Sequence, residues 1–220
     1  MKISIFTFIF FQFLSNNIFA QKIMNEGTLV YSISIETTNG EKQINSALNG
    51  AVLSLFYTKD KSRTEMQTKI GTEATVYDNK ADKGFILKEY SGQKLMITTT
   101  ADNWELKNHV NRNLVFKIDE TKTMIEGYNC YKATATSADG KNYTVFYDAT
   151  KIIANKTYNN AFPQIEGVPV QYEMQSGNLV FKYTLNKIEN EVLPANKFDA
   201  PKIGFRVMTY EEANQLKKGA

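Results

Sequence analysis

The side chains with the strongest chemistry are few in this sequence of 220 residues. Cys130 is the only cysteine and His109 the only histidine, and the two lie in different segments. A catalytic thiol needs a neighbouring base, and a zinc site needs several histidine or cysteine ligands. We therefore interpret Cys130 as a buried apolar wall residue without a disulfide partner, and we predict neither a metal nor a cofactor.

Paired carboxylates are the other arrangement that supports acid–base chemistry, and they occur at Asp119-Glu120, Glu189-Glu191 and Glu211-Glu212. The first pair lies in a turn-like segment, the second in a polar connection and the third at the start of a predicted helix. Solvated charge is the better interpretation of each pair. The sequence also has no Gly-x-Ser-x-Gly elbow and no phosphate-binding glycine loop. We predict a protein that is not an enzyme.

The charge is close to balanced, with 26 basic and 23 acidic residues and a net charge of +3. Loss of Lys2 with a cleaved leader would lower this to +2. The only arginines are Arg63, Arg112 and Arg206, and the lysines are scattered singly. Nucleic-acid-binding proteins concentrate these side chains on one face. We therefore predict no nucleic-acid partner.

The first twenty residues have the layout of a cleaved secretory signal, with a short basic start, an apolar run over 3–14 and a small residue, Ala20. A transmembrane span needs about 20 apolar residues, and this run is shorter. A bacterial lipoprotein begins with cysteine after cleavage, whereas position 21 is Gln21. We expect 1–20 to be a signal peptide and 21–220 to be one domain of an exported periplasmic or secreted protein without a lipid anchor.

The rest of the chain is dominated by apolar residues that alternate with a period of two, which predicts half-buried strands. Such faces are formed by Leu29, Tyr31, Ile33 and Ile35; by Leu53, Leu55 and Tyr57; by Leu114, Phe116 and Ile118; by Tyr143, Val145 and Tyr147; by Val168, Val170, Tyr172 and Met174; and by Leu179, Phe181, Tyr183 and Leu185. Tight-turn dipeptides separate the segments at Asn39-Gly40, Ser91-Gly92, Asp139-Gly140 and Ser176-Gly177. Short strands with such turns predict an antiparallel sheet or barrel.

Helix signals are few. Thr209 is followed by Glu212 in a capping-box pattern, and the segment 209–218 ends in lysines. Residues 41–50 are compatible with one or two helical turns that end at Asn49-Gly50. We expect both segments to be edge or terminal helices that cover part of the sheet.

The buried side of the predicted sheet carries large side chains, while the helices available to cover it are short. Two alternatives follow: an incompletely filled face with a cavity for an apolar ligand, or an ordinary core closed by curling of the sheet. For the first alternative, the candidate ligand-binding residues are Tyr31, Ile33, Leu55, Tyr57, Phe116, Tyr147, Tyr172, Leu179, Phe181 and Tyr183.

Six stretches together carry a family resemblance across nearly the whole predicted mature chain. In order they are GTLVYSISIE, LFYTKDKSRTEM, TVYDNKADKGFILKEYSGQK, IEGYNCYKATATSADGKNYTVFYD, IEGVPVQYEM and NKFDAPKIGFRVMTYEE. Their order and spacing resemble an uncharacterised family of exported Bacteroidota proteins. That family is similar in fold to the periplasmic lipoprotein carriers and the outer-membrane lipoprotein receptors.

The resemblance implies a mainly β fold in which a single antiparallel, strongly twisted sheet forms an unclosed β-barrel with one or two short helices. It also implies an apolar concave face under a lid, where the better-known relatives hold acyl chains. Their lids consist of several helices latched to a barrel-strand arginine. Helices are poor in this sequence, and Arg63 is the nearest candidate for such a latch.

Two functions remain open at this point. The first is a periplasmic binding or carrier protein for a lipid or a lipoprotein acyl chain. The second is a cell-envelope protein-interaction module with a fully packed core and no ligand cavity, whose partner is another envelope protein. The segment 152–170 is its best candidate surface, because Ile152, Ile153, Phe162 and Ile165 lie among turn residues there.

Overall fold

The computed structural model describes residues 21–43 and 46–218, so the predicted signal peptide at 1–20 lies outside the described residues. Within these ranges the chain forms fourteen strands, two α-helices and one 3₁₀ helix. The strands are β1 (Lys22–Met24), β2 (Gly27–Thr37), β3 (Val52–Tyr57), β4 (Lys61–Thr68), β5 (Gly71–Asp78), β6 (Lys83–Tyr90), β7 (Gln93–Thr100), β8 (Lys117–Ile125), β9 (Tyr128–Thr136), β10 (Asn142–Asp148), β11 (Lys151–Ile153), β12 (Val168–Ser176), β13 (Leu179–Glu189) and β14 (Arg206–Thr209). The helices are α1 (Ala101–Arg112), the 3₁₀ helix (Ala195–Phe198) and α2 (Tyr210–Lys218).

Twelve of the strands in the described ranges form one large twisted sheet that is not closed into a barrel, in the order β14-β7-β6-β5-β4-β3-β2-β13-β12-β10-β9-β8. All neighbours are antiparallel except β14, which runs parallel to β7, and β1 and β11 form a separate parallel pair. The prediction of a single antiparallel sheet is therefore wrong in these two respects. Parallel pairs are joined by long crossovers rather than tight turns, so turn dipeptides do not reveal them.

The alternating segments on β2, β3, β10, β12 and β13 form the predicted half-buried strands. The predicted turn at Ser91-Gly92 joins β6 to β7 with φ values of 51° and 80°, both in the left-handed region that a two-residue hairpin loop requires. The segment with Leu114, Phe116 and Ile118 is not one half-buried strand, although Leu114 is buried in the main core and Phe116 packs against it. Strand β8 begins only at Lys117, and Ile118 is 51% exposed because β8 is an edge strand beyond the covered part of the sheet.

The predicted capping box begins α2. The Thr209 amide donates to Glu212 Oε2 at 2.8 Å, and the Glu212 amide donates to Thr209 Oγ1 at 3.2 Å. Helix α1 was not predicted, although Thr100 and Asn103 form a capping box at its start with asparagine in place of the usual glutamate. In 41–50 the described residues form turns and a bridge rather than a helix.

The large sheet has two differently covered faces. One face carries Leu55, Thr64 and Thr75, which are paired neighbours on β3, β4 and β5. We call it the lid face. The opposite face of the sheet, which we call the outer face, carries the next row of paired residues: Phe56, Arg63, Val76 and Phe85. The main hydrophobic core lies on the lid face, and a smaller cluster of Val76, Leu193 and Phe198 lies on the outer face under the 3₁₀ helix.

Candidate ligand-binding cavity

The lid face is covered by α1 and by residues 154–167, which we call the lid loop. Helix α1 is positioned by Trp104, whose ring stacks on Tyr77 of the sheet with centroids 4.0 Å apart and planes 6° apart. The lid loop is positioned by Phe162, which is buried and meets Tyr172 edge to face at 4.9 Å. Each half of the lid therefore rests on the sheet through an aromatic contact.

The two halves of the lid are also hydrogen-bonded to each other. Gln164 Nε2 donates to the Asn111 carbonyl at 3.0 Å and to the Arg112 carbonyl at 2.7 Å. Asn111 Nδ2 donates to the Asn160 carbonyl at 3.1 Å. The lid loop thus satisfies carbonyls at the C-terminal end of α1 that have no partner within the helix.

The start of the lid loop is tied to the sheet by Asn155, which is 2% exposed. Its Nδ2 donates to the carbonyls of Thr58 at 2.9 Å and Lys61 at 3.0 Å, and its Oδ1 accepts from Asn79 Nδ2 at 3.0 Å. Such a buried amide costs stability unless it is paired, so these bonds fix where the loop enters the lid.

The lid loop overlaps the segment that we interpreted as a protein-interaction surface. In the segment 152–170, Ile153 and Phe162 are each only 3% exposed, and Ile152 and Ile165 are half-buried. The expectation that these four side chains form an incompletely covered surface is therefore wrong for Ile153 and Phe162. Phe162 packs into the core because the lid loop folds inward over the sheet, whereas Ile153 enters the core from strand β11, just before the loop.

A cavity of about 290 Å³ remains between the lid and the sheet. Its floor is formed by side chains of β3, β4, β5, β12 and β13: Leu53, Leu55, Thr64, Met66, Thr75, Tyr172, Met174 and Tyr183. Its roof is formed by α1 and the lid loop: Trp104, Lys107, Asn108, Asn111, Asn159, Asn160 and Ala161. This volume is near the lower limit of small-molecule sites, about 300 to 1,000 Å³.

All ten candidate residues from the sequence belong to one hydrophobic cluster, either buried in it or packed against it. The structure brings Leu55, Tyr172 and Tyr183 to the cavity wall. The other seven belong to the same cluster but do not line the cavity: Tyr31, Ile33, Tyr57, Phe116, Tyr147, Leu179 and Phe181. The roof residues were missed because they lie on an unpredicted helix and an irregular loop, and only the Thr100 and Asn103 cap signalled that helix.

The tyrosines of the cavity floor are neutral, and one residue of the lining, Lys107, carries a positive charge. Burial raises the pKa of Tyr172 well above its ordinary value, and burial also raises that of Tyr183. The two rings stack with centroids 4.4 Å apart. Among the described residues that line the cavity, Lys107 is the only charged one, and it is exposed.

Arg63 does not reach the lid. It lies on the outer face, where Nη1 donates to the Lys197 carbonyl at 3.3 Å and the guanidinium pairs with Glu65 at 2.7 Å. The Lys197 ammonium in turn lies 3.6 Å from the centre of the Phe56 ring. Arg63, the nearest candidate for a lid latch, is therefore not one, since its guanidinium holds the 3₁₀ helix on the opposite face.

The remaining reactive side chains do not assemble. Cys130 is fully buried in β9, as expected, and burial raises the pKa of its thiol to about 11. His109 is exposed on α1. Across residues 21–43 and 46–218 no group of three or more His, Cys, Asp or Glu side chains is placed to hold a metal. Nor does this part of the chain contain a helix with the length and hydropathy to cross a bilayer.

The sequence matches no protein-family model. It also matches none of the curated proteins. The structure is similar to that of a protein called PNGF-II, with a TM-score of 0.50, 14% sequence identity and coverage of 86% of this chain. The match covers 33% of PNGF-II, so this chain spans about a third of that protein's length.

Two smaller proteins are similar with lower TM-scores. A LolA superfamily protein from Nitrosomonas europaea has a TM-score of 0.36 and 8% identity, over 82% of this chain and 92% of that chain. The lipoprotein LppX from Mycobacterium tuberculosis has a TM-score of 0.37 and 11% identity, over 77% and 89%. At these identities each likeness concerns the fold alone.

Proposed function

We propose that this protein is a non-catalytic binding or carrier protein for a hydrophobic ligand, such as a lipid or an acyl chain. The cavity between the lid and the sheet carries this proposal. A core closed by curling of the sheet would leave no such space, whereas here Leu55, Met66 and Met174 border a void of about 290 Å³. Apolar walls that are not covered by protein gain free energy from an apolar ligand.

The size of the cavity limits the ligand. A water molecule takes about 30 Å³ of liquid volume, and a methylene group is of similar size, so the cavity has room for roughly ten such groups. One short acyl chain, or part of a longer one, fits this volume better than several chains. The two-part lid is the element that would move to admit the chain, because its halves are joined to each other by only a few hydrogen bonds.

A matched pair of substitutions on one strand tests the proposal. Thr75→Phe places a ring in the cavity, whereas Thr72→Phe places the same ring on the other face of β5. We expect a fluorescent fatty-acid analogue to bind saturably to the lipid-stripped parent and to Thr72→Phe. Binding to Thr75→Phe should be at least about tenfold weaker, a change of about 1.4 kcal/mol.

Thermal melts of all three proteins accompany the titration and establish that each is folded. Equal affinity of folded Thr75→Phe and the parent would place the ligand outside the cavity. A folded, lipid-stripped parent that shows no saturable binding would contradict the proposal. Mass spectrometry of the protein purified under native conditions gives a second readout, since a carrier is expected to retain lipid.

We further propose that the protein is exported, with cleavage after Ala20 and a single lipoprotein-carrier-like β domain over 21–220. The layout of residues 1–20 supports this proposal. The intact mass of the protein isolated from the periplasm should correspond to an unacylated chain that begins at Gln21, with or without cyclisation of that residue. An added diacylglyceryl mass would contradict it.

The second candidate, an envelope protein-interaction module, is favoured by the β8 edge of the sheet. Nearly every residue of β8 is exposed, including Met124 at 66%, and Val115 just before it is 85% exposed. An exposed edge can pair with an added strand from a partner. The fatty-acid titration separates the two candidates, because the module requires no saturable ligand binding.

A further inference from the structure

The floor of the cavity is not uniformly apolar. Thr64 of β4 and Thr75 of β5 are paired neighbours in the sheet, and both line the cavity. On one side of this pair, Thr64 is the neighbour of Leu55 on β3. On the other side, Thr75 is the neighbour of Ile86 on β6, so two hydroxyl groups interrupt an apolar row. Valine has the same branched shape without a hydroxyl, and a floor that held only hydrocarbon would gain from it at both positions.

Both threonine hydroxyls are accessible from the cavity and have no partner. Neither makes a side-chain hydrogen bond within residues 21–43 and 46–218. Neither oxygen is among the unpartnered polar atoms that protein covers in this part of the chain, so each keeps accessible surface. Thr64 and Thr75 are accordingly half-buried rather than buried. A hydroxyl both donates and accepts, so the pair presents a polar spot to a ligand that lies on the floor.

The polar groups of the roof are engaged elsewhere. Asn108 Nδ2 donates to the Trp104 carbonyl at 2.8 Å. Asn111 Nδ2 donates to the Asn160 carbonyl at 3.1 Å, and Asn160 Nδ2 donates to a carbonyl within the lid loop at 2.9 Å. The two roof donors without a partner in the described part of the chain, Trp104 Nε1 and Asn159 Nδ2, are covered by protein. The hydroxyls of the floor are therefore the groups with which a ligand can pair.

The surroundings of these hydroxyls are uncharged. The floor also carries Tyr172 and Tyr183, and burial raises the pKa of both phenols, which keeps them neutral. Lys107 belongs to the roof, is exposed and has an interaction partner within the protein. A charged group beside neutral hydroxyls would lose its hydration without meeting a counter-charge, whereas an alcohol or ester oxygen needs only a hydrogen bond.

Building on the proposed function, we propose that the ligand is a single-chain amphiphile whose polar function is an uncharged oxygen, as in an alcohol or an ester. The oxygen lies at the hydroxyls of Thr64 and Thr75, and the chain lies along the apolar part of the floor at Leu55, Met66 and Met174. An alcohol and an ester share this chemistry, because the oxygen of each accepts a hydrogen bond from a threonine hydroxyl.

Four short probes separate the oxygen function from burial of the chain: 1-octanol, methyl heptanoate, octane and octanoate. Each is added to the lipid-stripped protein, and the free probe is measured by headspace gas chromatography or, for octanoate, by equilibrium dialysis. An apolar site favours octane, because burying an unpaired oxygen costs free energy. We expect 1-octanol or methyl heptanoate to bind more tightly than octane, and the tighter of the two identifies the oxygen function. Octanoate should bind at least about tenfold more weakly than that probe.

Threonine-to-valine substitutions locate the oxygen. Thr64→Val and Thr75→Val each remove one hydroxyl, and Thr72→Val is the matched control because Thr72 is half-buried on the other face of β5. Each of the first two should weaken the tighter oxygen probe by about fivefold, a change of about 1 kcal/mol, without weakening octane. Thr72→Val should change none of the affinities. Thermal melts establish that all three variants are folded.

The carbonyl stretch of isotope-labelled methyl heptanoate gives a readout that does not depend on affinity. A hydrogen bond lowers its frequency, so the band should lie lower with the parent than with the double variant Thr64→Val and Thr75→Val. An oxygen probe that binds tightly but is unaffected by either substitution would contradict its placement at the threonines.

The proposal on the oxygen and the proposed function can fail separately. If octane or octanoate binds more tightly than both oxygen probes, the uncharged oxygen is refuted and the proposed function stands. Absence of binding by all four probes to the folded parent would overturn both.

Discussion

At the residue scale, burial determines what Cys130 does. Its side chain has no exposed surface and its Sγ lies 3.6 Å from the Tyr128 carbonyl, so the thiol behaves as a small apolar side chain with a weak donor. The pKa is raised because burial disfavours the thiolate. Because the pKa is raised on folding, the thiol's contribution to the free energy of unfolding is fully present below its unfolded-state pKa of about 8.5. That contribution is lost as the pH rises toward the folded-state pKa of about 11.

We expect the Cys130 thiol to react slowly with iodoacetamide at pH 8 in the native protein and rapidly in denaturant. The thiolate is the reactive species, and folding suppresses both its formation and its exposure. The rate is followed by mass spectrometry, with a denatured sample as the control. Rapid alkylation of the folded protein, or a covalent dimer in the absence of reductant, would refute the assignment of Cys130 to the core wall.

At the element scale, the function of the lid depends on how its two halves are joined. Gln164 donates two hydrogen bonds to the end of α1, and each such bond contributes about 0.5–1.5 kcal/mol net. Gln164→Ala should therefore loosen the lid loop without unfolding the sheet. Gln67→Ala is the matched control, because Gln67 is an exposed residue near the end of β4.

We expect faster amide hydrogen exchange in the lid loop of Gln164→Ala, together with a faster dissociation of bound fatty-acid analogue. Exchange in β2 and β13 should not change. If stopped-flow dissociation rates are the same in Gln164→Ala, Gln67→Ala and the parent, the lid does not control access to the cavity.

Arg63 permits a separate test on the outer face. Arg63→Ala removes the donor to the Lys197 carbonyl, so the 3₁₀ helix at Ala195–Phe198 should exchange its amides faster. Ligand binding should stay within about twofold of the parent, because the side chain lies on the face opposite the cavity. Arg112→Ala is a useful comparison, since its side chain pairs with Glu105 on the lid helix itself. Loss of ligand binding in folded Arg63→Ala would contradict this separation of the two faces.

At the scale of the whole molecule, the sheet is open and has two edges, β8 and β14. We expect amide exchange to be slowest in β2 and β13, which pair along ten positions in the middle of the sheet, and fastest in β8. Mass-spectrometric exchange at several protein concentrations tests this order. Strong protection of β8 that grows with concentration would show that the edge pairs with another chain.

Much of the sheet was predictable because its signals are local. Alternation such as Tyr31, Ile33 and Ile35 depends only on residues two apart, and the turn at Ser91-Gly92 depends on adjacent residues. The Thr209 and Glu212 cap of α2 is equally local. The same approach failed for α1, whose asparagine-rich sequence has a weak helical pattern. It also failed for 114–118, where the alternation runs from a loop into the exposed edge strand β8.

The sequence by itself therefore determined a mainly β protein whose one thiol, Cys130, is buried in a strand. Only the tertiary structure decided that β14 runs parallel to β7, that Arg63 faces away from the lid, and that a cavity lies under Trp104 and Asn159. The physical reason is sequence separation. The contacts that place these features join residues far apart, such as Asn103 with Glu211, 108 positions away, and Arg63 with Lys197, 134 positions away. No pattern among neighbouring residues specifies such pairs.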